Sequence, residues 1–273
     1  MSKHLGGADF RKAVAALAAL RRLDPAAARA QIPAVHAQDE QRTFQIRVAQ
    51  LIVDGGVQAV AAAWRELPSA EWRTNLIIEI DQSFLDWIDQ GTFELLVTAL
   101  EDPEISVSRR ALGTLRGYVA PLTAKERKDA EKTKRGKVYL EARDRAAPWI
   151  TAPRRARMTQ ALIAILRGYP ENRPSLFWPD KFVELLGHTA TRDDEEALRL
   201  LEGLRPLAGE PHRCETTKLD PDNLPWPTSI LAERKGIPPG TPMAHVAVIP
   251  TGLLDLKNLE DAIARIRARA GSG

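Results

Sequence analysis

Apolar side chains in the first two hundred residues recur every three to four positions, in runs that short corners separate. The spacing is clearest between residues 40 and 53, where one helical stripe consists of Phe44, Val48, Leu51 and Ile52. The strict alternation of apolar and polar residues that is typical of strands is absent from this part of the sequence. The pattern therefore predicts an all-α fold of short helices with short connections.

Proline and glycine mark several of the predicted helix ends. Pro25 suits the first turn of a helix, and Gly55 with Gly56 stops the helix that precedes them. The predicted helices cover residues 8–23, 25–35, 40–53, 57–67, 70–88, 92–100, 106–119, 153–169, 181–188 and 194–204.

Residues 95–118 have the features of a helical hairpin. Pro103 stops the first helix, and Asp102 is placed to accept hydrogen bonds from the backbone N–H groups that the corner leaves free. The second helix carries a small residue that permits close approach and two larger ones that fill the space between layers, namely Ala111, Leu112 and Leu115.

This stretch resembles a HEAT repeat, the helical hairpin of α-solenoids, whose corner aspartate is followed by a Val-Arg pair. Here Val107 stands in the expected place, but Ser108 follows it and the arginine comes one position later, at Arg109. Fainter echoes occur at residues 39–52 and 182–204. The resemblance implies a right-handed α-solenoid of imperfect HEAT-like hairpins with a curved binding surface. The alternative is a compact bundle of unrelated helices.

Two segments break the helical pattern. Residues 123–137 contain no large apolar side chain, which predicts a solvated helix extension or a loop, with Gly136 as the natural break. Residues 206–250 hold nine of the nineteen prolines, which excludes long helices there and leaves one candidate strand at 244–249.

The last predicted element is an amphipathic helix at residues 256–270. Its expected buried face consists of Leu256, Leu259, Ile263 and Ile266. Because a solenoid needs an atypical end to cover its last hairpin, we expect this helix to be a cap. The predicted organisation is a HEAT-like repeat domain at 8–205, an irregular proline-rich wrap at 206–255 and the capping helix at 256–270.

Composition excludes some classes of protein. The single cysteine, Cys214, excludes an intrachain disulfide, and no apolar run reaches the length of a membrane span. The apolar run at residues 13–20 is flanked by charges and is not followed by a cleavage site, so it predicts a helix rather than a signal peptide. We therefore expect a cytoplasmic protein.

Positive charge is concentrated in residues 107–158, which hold fifteen Lys and Arg against five Asp and Glu, although the whole chain is only +3. This predicts a surface for phosphate backbones or for an acidic protein partner. The alternative is a solvated stretch with helical ion pairs such as Arg127 with Glu131. The predicted surface consists of Arg109, Arg110, Lys132, Lys134, Arg135, Lys137, Arg154, Arg155 and Arg157.

The sequence contains no recognisable catalytic, metal-binding or cofactor-binding motif. No two of the five histidines have metal-ligand spacing, and the carboxylates near Trp87, such as Asp86 and Asp89, fit the exposed side of a helix. The chain is also similar in size, helical content and basic balance to the HEAT-like alkylpurine DNA glycosylases. That family uses an aspartate and tryptophans in its groove, but no tryptophan here has an aspartate four residues later. The similarity therefore implies architecture and no catalytic residue.

These observations favour a non-enzymatic protein-binding scaffold or inhibitor, such as an immunity-type or assembly protein, that needs no cofactor or metal. The alternative is a nucleic-acid-binding solenoid, with base-excision activity as its enzymatic form. The hairpin pattern supports the first hypothesis, and the basic region supports the second.

Overall fold

The computed structural model describes residues 10–32, 40–67, 69–74, 76–77, 89–169, 179–210, 212–213, 251–252 and 254–270. Its helices are α1 (Phe10–Leu23), α2 (Pro25–Ala30), α3 (Glu40–Gly55), α4 (Val57–Ala62), α5 (Gln90–Leu100), α6 (Ile105–Val119), α7 (Ala124–Glu131), α8 (Lys134–Ala146), α9 (Ala152–Arg167), α10 (Pro179–Thr189), α11 (Glu195–Gly203) and α12 (Leu256–Ala268). Short 3-10 turns cover Trp64–Glu66, Ala147–Trp149 and Arg205–Leu207. The predicted all-α class is confirmed.

Seven of the described helices after residue 56, α4 to α6 and α9 to α12, are arranged in two layers. One layer contains α4, α5, α9 and α11, and each of these helices packs against the next in that order. The second layer contains α6, α10 and α12, which follow one another in the same way. Across the layers α5 packs against α6, α9 against α10, and α11 against α12. Similar helix pairs are therefore repeated along the molecule.

The amino-terminal helices continue this packing. α1 contacts both α2 and α3, and α3 contacts α4. Asp24 caps α2 by accepting a hydrogen bond from the Ala27 N–H, and Pro25 occupies the first turn, as the sequence predicts. Arg21 donates from Nε to the Val53 carbonyl at 2.8 Å and so joins α1 to the end of α3.

A single apolar core lies between the two layers. It includes Leu96 of α5, Leu112 of α6, Leu162 of α9 and Leu186 of α10, all of which are fully buried. The core also contains Leu115 and the small Ala111, the positions that the hairpin pattern predicted. These side chains stabilise the fold chiefly by their removal from water, which contributes about 2 kcal/mol for each large aliphatic residue.

The segment at 123–137 is helical, and its break lies three residues earlier than the sequence suggested. α7 ends at Glu131, and Thr133 begins α8 by accepting a hydrogen bond from the Gly136 N–H at 2.9 Å. Gly136 itself lies in the first turn of α8. Gly136 allows the two helices of the hairpin to approach closely, because a β-carbon there would collide with the Ala130 carbonyl.

The carboxyl-terminal helix α12 continues the second layer after α10 and also packs against α11, the last helix of the first layer. Leu259, Ile263 and Ile266 are buried as predicted, but Leu256 is half exposed because it is the first residue of the helix and lies beyond the contact. Residues His212–Arg213 (β1) pair antiparallel with Thr251–Gly252 (β2). The predicted strand at 244–249 and most of the proline-rich wrap lie outside the described residues.

Candidate partner-binding surface

Helices α7 and α8 form a hairpin that lies between α6 and α9 in the sequence. α7 has no buried residue, and its start is fixed by a capping box. Thr123 Oγ1 accepts from the Glu126 N–H at 3.2 Å, and Glu126 accepts from the Thr123 N–H at 2.8 Å. Because two backbone donors are satisfied in this way, the helix forms without an apolar face against the core.

α8 is held to the layers by two side chains. Tyr139 donates its hydroxyl to the Gly117 carbonyl at 2.5 Å, and Arg143 donates to the same carbonyl and to that of Ala120, the latter at 2.8 Å. These acceptors lie at the carboxyl end of α6, where helix carbonyls lack partners of their own. The hairpin base is therefore fixed to the layers, whereas α7 and the corner at residues 131–137 face solvent.

The corner carries four of the nine predicted binding residues, and all four are exposed. Lys132 pairs with Asp129 at 2.6 Å. Among the described residues no carboxylate pairs with Lys134, Arg135 or Lys137. Lys134 and Lys137 share a helix face because they are three positions apart. We call Lys134, Arg135 and Lys137 the hairpin cations.

Arg109 and Arg110 lie on α6, in the second layer. Arg109 is half-buried and takes part in an interaction within the fold, whereas Arg110 is exposed. The two neighbouring arginines therefore differ in environment, and only Arg110 is fully presented to solvent.

Arg154 and Arg157 join two neighbouring helices of the first layer. Arg154 donates from Nε to Glu94 of α5 at 2.7 Å. Arg157 forms ion pairs with Glu94 and with Glu101, the residue directly after α5, the latter at 2.8 Å. Burial of Glu94 opposes its ionisation, but the hydrogen bonds from the two arginines outweigh burial and lower its pKa. The hydrogen bond to Glu101 raises the pKa of Arg157. These two cations are compensated within the fold.

Arg155 is also placed between helices, because its NH1 donates to the His188 carbonyl at 3.0 Å. Of the nine predicted residues, the four of the corner and Arg110 are exposed. Three others connect helices, namely Arg154, Arg155 and Arg157. The nine residues therefore differ in exposure and in pairing.

A buried interaction that the sequence did not reveal links the corner between α5 and α6 to the turn after α4. Asp102 accepts from the Trp64 indole N–H at 2.7 Å, from Arg73 Nε at 2.8 Å and from the Glu104 N–H at 2.9 Å. The predicted capping role of Asp102 is confirmed by the last of these bonds. Since its two oxygens are committed to four donors, counting the second Arg73 nitrogen at 3.2 Å, the carboxylate holds the fold together.

A cleft of about 510 Å³ lies between the α5–α6 corner and the carboxyl-terminal half of α9. Its lining includes the apolar residues Leu100, Ile105 and Ile165 and the acidic residues Glu101 and Glu104. Among the described residues that line it there is no histidine or cysteine, and the hydroxyl of Ser108 donates to the Ile105 carbonyl at 3.3 Å.

Asp89, one of the carboxylates near Trp87, is the N-cap of α5. It accepts from the Thr92 N–H at 2.8 Å and from the Thr92 hydroxyl at 2.9 Å. Asp86 and Trp87 themselves lie outside the described residues. Within the described part of the chain no group of three His, Cys, Asp or Glu is arranged to hold a metal ion.

None of the helices that the structure describes is both long and apolar enough to cross a membrane. Comparison with known proteins adds no relative, because no protein-family model, curated protein or solved structure matches the chain.

Proposed function

We propose that the protein is a non-enzymatic binding protein, in which a right-handed solenoid of HEAT-like hairpins supports the α7–α8 hairpin as the contact for an acidic segment of a partner protein. The observation that carries this proposal is the composition of the hairpin. α7 buries no residue, yet it is firmly capped and its neighbour is anchored to the layers. A helix that contributes nothing to the core is available for a contact outside the chain.

Charge supports an acidic partner. Residues 124–146 hold nine Lys and Arg against five Asp and Glu. Three of the five acids are occupied locally, since Glu126 bonds to Thr123, Asp129 to Lys132 and Glu131 to Arg127. The hairpin cations are left without a partner among the described residues. Complementary charge at such a site accelerates association and fixes the register of the partner.

The placement of the other arginines favours a protein over a nucleic acid. A duplex presents one negative charge per about 1.7 Å of its axis, so it is best matched by a long positive face. Arg154 and Arg157 are neutralised by Glu94 and Glu101, which leaves four of the five exposed residues of the predicted surface on one short corner. A compact acidic segment fits that corner better.

The proposal is tested by charge reversal with a matched control. The hairpin variant is K134E/R135E/K137E, and the control R47E/R65E/K257E makes the same change at three exposed positions outside the hairpin. A partner recovered with the wild type is purified, its binding is measured at increasing salt, and cross-links map the contact. We expect the hairpin variant to weaken binding about tenfold or more, the control to leave it unchanged, and cross-links to join Lys134 to an acidic segment.

Two results would contradict the proposal. One is a purified partner that binds the hairpin variant as tightly as the wild type. The other is binding of duplex DNA by the wild type that falls steeply with salt and is abolished in the hairpin variant, which would establish the nucleic-acid hypothesis instead.

A further inference from the structure

Two arginines from different helices meet at the carboxyl end of α10. Arg155 belongs to the first turn of α9, and Arg269 directly follows α12. Both donate from NH1 to the carbonyl oxygen of His188, and Arg269 also reaches the Ala190 carbonyl at 3.3 Å. Two guanidinium groups therefore converge on one oxygen.

The carbonyl groups at the end of α10 neutralise only part of the positive charge of the two arginines. The carboxyl end of a helix carries about half a negative charge, whereas two guanidinium groups carry two positive charges. Each guanidinium has five N–H donors, of which Arg155 uses one on the residues that the structure describes. Positive charge and hydrogen-bond donors both remain in excess at this point.

No carboxylate among the described residues pairs with either arginine. The negative charge of Glu184 raises the pKa of the neighbouring His188. However, this carboxylate is already paired with Arg116 at 2.6 Å and with Lys181 at 3.8 Å. Arg155 and Arg269 are both half-buried. Partly desolvated cations without a counter-charge are unfavourable, so this site favours an anion from outside.

The electrostatic surroundings agree with this geometry. Burial lowers the pKa of Arg155 and of Arg269, and the charge of Arg269 lowers that of Arg155 further. Arg157, two positions along the same helix, has a raised pKa because it bonds to Glu101. The contrast shows that compensation by a carboxylate occurs on α9 at Arg157 but not at Arg155.

We propose that Arg155 and Arg269 form a binding site for a phosphate-class oxyanion, which bridges the start of α9 and the end of α12. A guanidinium presents its donors as a planar fork that matches two oxygens of such an ion. The bound anion would join helices of both layers at the end of the molecule. The source is either the free ion or a phosphorylated small molecule.

The test uses inorganic phosphate with the full chain. Heat release on titration and thermal unfolding are measured against sodium chloride at equal ionic strength. We expect phosphate to raise Tm beyond the effect of chloride. R155Q and R269Q should each weaken phosphate binding about ten- to a hundredfold, because each removes charged hydrogen bonds. Phosphoserine is titrated in parallel, and tighter binding than phosphate would identify a phosphorylated molecule as the source.

Two controls separate this site from general attraction. R167Q removes an equal charge from the same helix at an exposed arginine paired with Glu196, and it should bind phosphate as the wild type does. K134E/R135E/K137E should also retain phosphate binding. R155K and R269K are made in case the glutamine variants do not fold. These variants keep the charge but lose the planar guanidinium, and we expect both to bind phosphate more weakly than the wild type. A wild type that responds equally to phosphate and chloride, or arginine variants that bind normally, would overturn the proposal.

Discussion

The Trp64 indole donates a hydrogen bond of 2.7 Å to Asp102, a residue 38 positions further along the chain. Arg73 forms a salt bridge with the same carboxylate, whose side chain is 2 % exposed. One acidic side chain thus joins the turn after α4, the helical stretch at 70–74 and the α5–α6 corner. Both side chains of this salt bridge are largely buried.

We expect Asp102→Ala to be strongly destabilising. The substitution leaves the Arg73 charge and the Trp64 N–H without their partner in a buried place, a change that typically costs about 3–5 kcal/mol. Urea unfolding measures the difference. Asp54→Ala is the control, because Asp54 also pairs with an arginine, Arg29, but both side chains are more than half exposed, and the expected loss is under about 1 kcal/mol. Equal losses of stability in the two variants would contradict the structural role of the buried Asp102 carboxylate.

The contact between α10 and α12 should be sensitive to a single methyl group. A β-carbon at Gly187 would lie 2.9 Å from the Ala262 β-carbon, closer than two such atoms pack. We therefore expect Gly187→Ala to destabilise the fold by about 1–3 kcal/mol. Gly113→Ala is the matched control, since Gly113 lies within α6 and a β-carbon there meets nothing within 4 Å. The control should stabilise by about 0.5–1 kcal/mol, as measured by thermal unfolding.

Stability should fall with acid in a window set by His188. Burial, together with the charges of Arg265, Arg269 and Arg116, lowers its pKa from 6.5 to about 4, although Glu184 acts in the opposite direction. The unfolded chain therefore takes up a proton as the pH falls below about 6.5, while the folded chain does not until about pH 4. Stability is highest above this window and declines through it, by on the order of 3 kcal/mol in total.

His188→Asn removes the titrating group and should abolish the part of the decline between pH 6.5 and 5. Urea unfolding at pH 7.5, 6.5, 5.5 and 5 measures the slope in both proteins. A variant whose slope equals that of the wild type would show that another group causes the acid sensitivity.

The corner of the α7–α8 hairpin should depend on the absence of a side chain at residue 136. Gly136→Ala places a β-carbon against the Ala130 carbonyl, so the corner must open. We expect faster amide exchange and faster tryptic cleavage after Lys132 and Lys134. Because α7 has no buried residue, the free energy of unfolding of the layers should change by less than about 1 kcal/mol. A cooperative loss of the whole fold would contradict this view of the hairpin.

Periodicity predicted most of the helices because the apolar face of a helix is a local property, but it did not predict α8 (Lys134–Ala146). The α5–α6 corner followed from Asp102 and Pro103 alone, and most helix ends lie within a few residues of the structure. Leu256 shows the limit of such reasoning. Its spacing matches the buried face of α12, but the helix begins at that residue, and half of the side chain stays exposed.

Long-range pairing was not predictable from the sequence. Arg154 and Glu94 are 60 positions apart, and no local pattern indicates that they meet. Counting charge in a window therefore combined arginines that are neutralised by a neighbouring helix with lysines that face solvent. The exposed corner was included in the predicted surface, but its separation from the inter-helix arginines depends on how the layers stack.

The solvated α7 also makes the chain a convenient scaffold for attachment. Residues 124–131 lie between two capped ends and contribute no side chain to the core. A reporter domain or a labelled cysteine placed there would leave the packing of both layers as it is, since surface segments of this kind tolerate insertion. For the same reason, substitutions at exposed positions of α7 should have little effect on folding. The sequence of α7 is then constrained mainly by its contacts with other molecules.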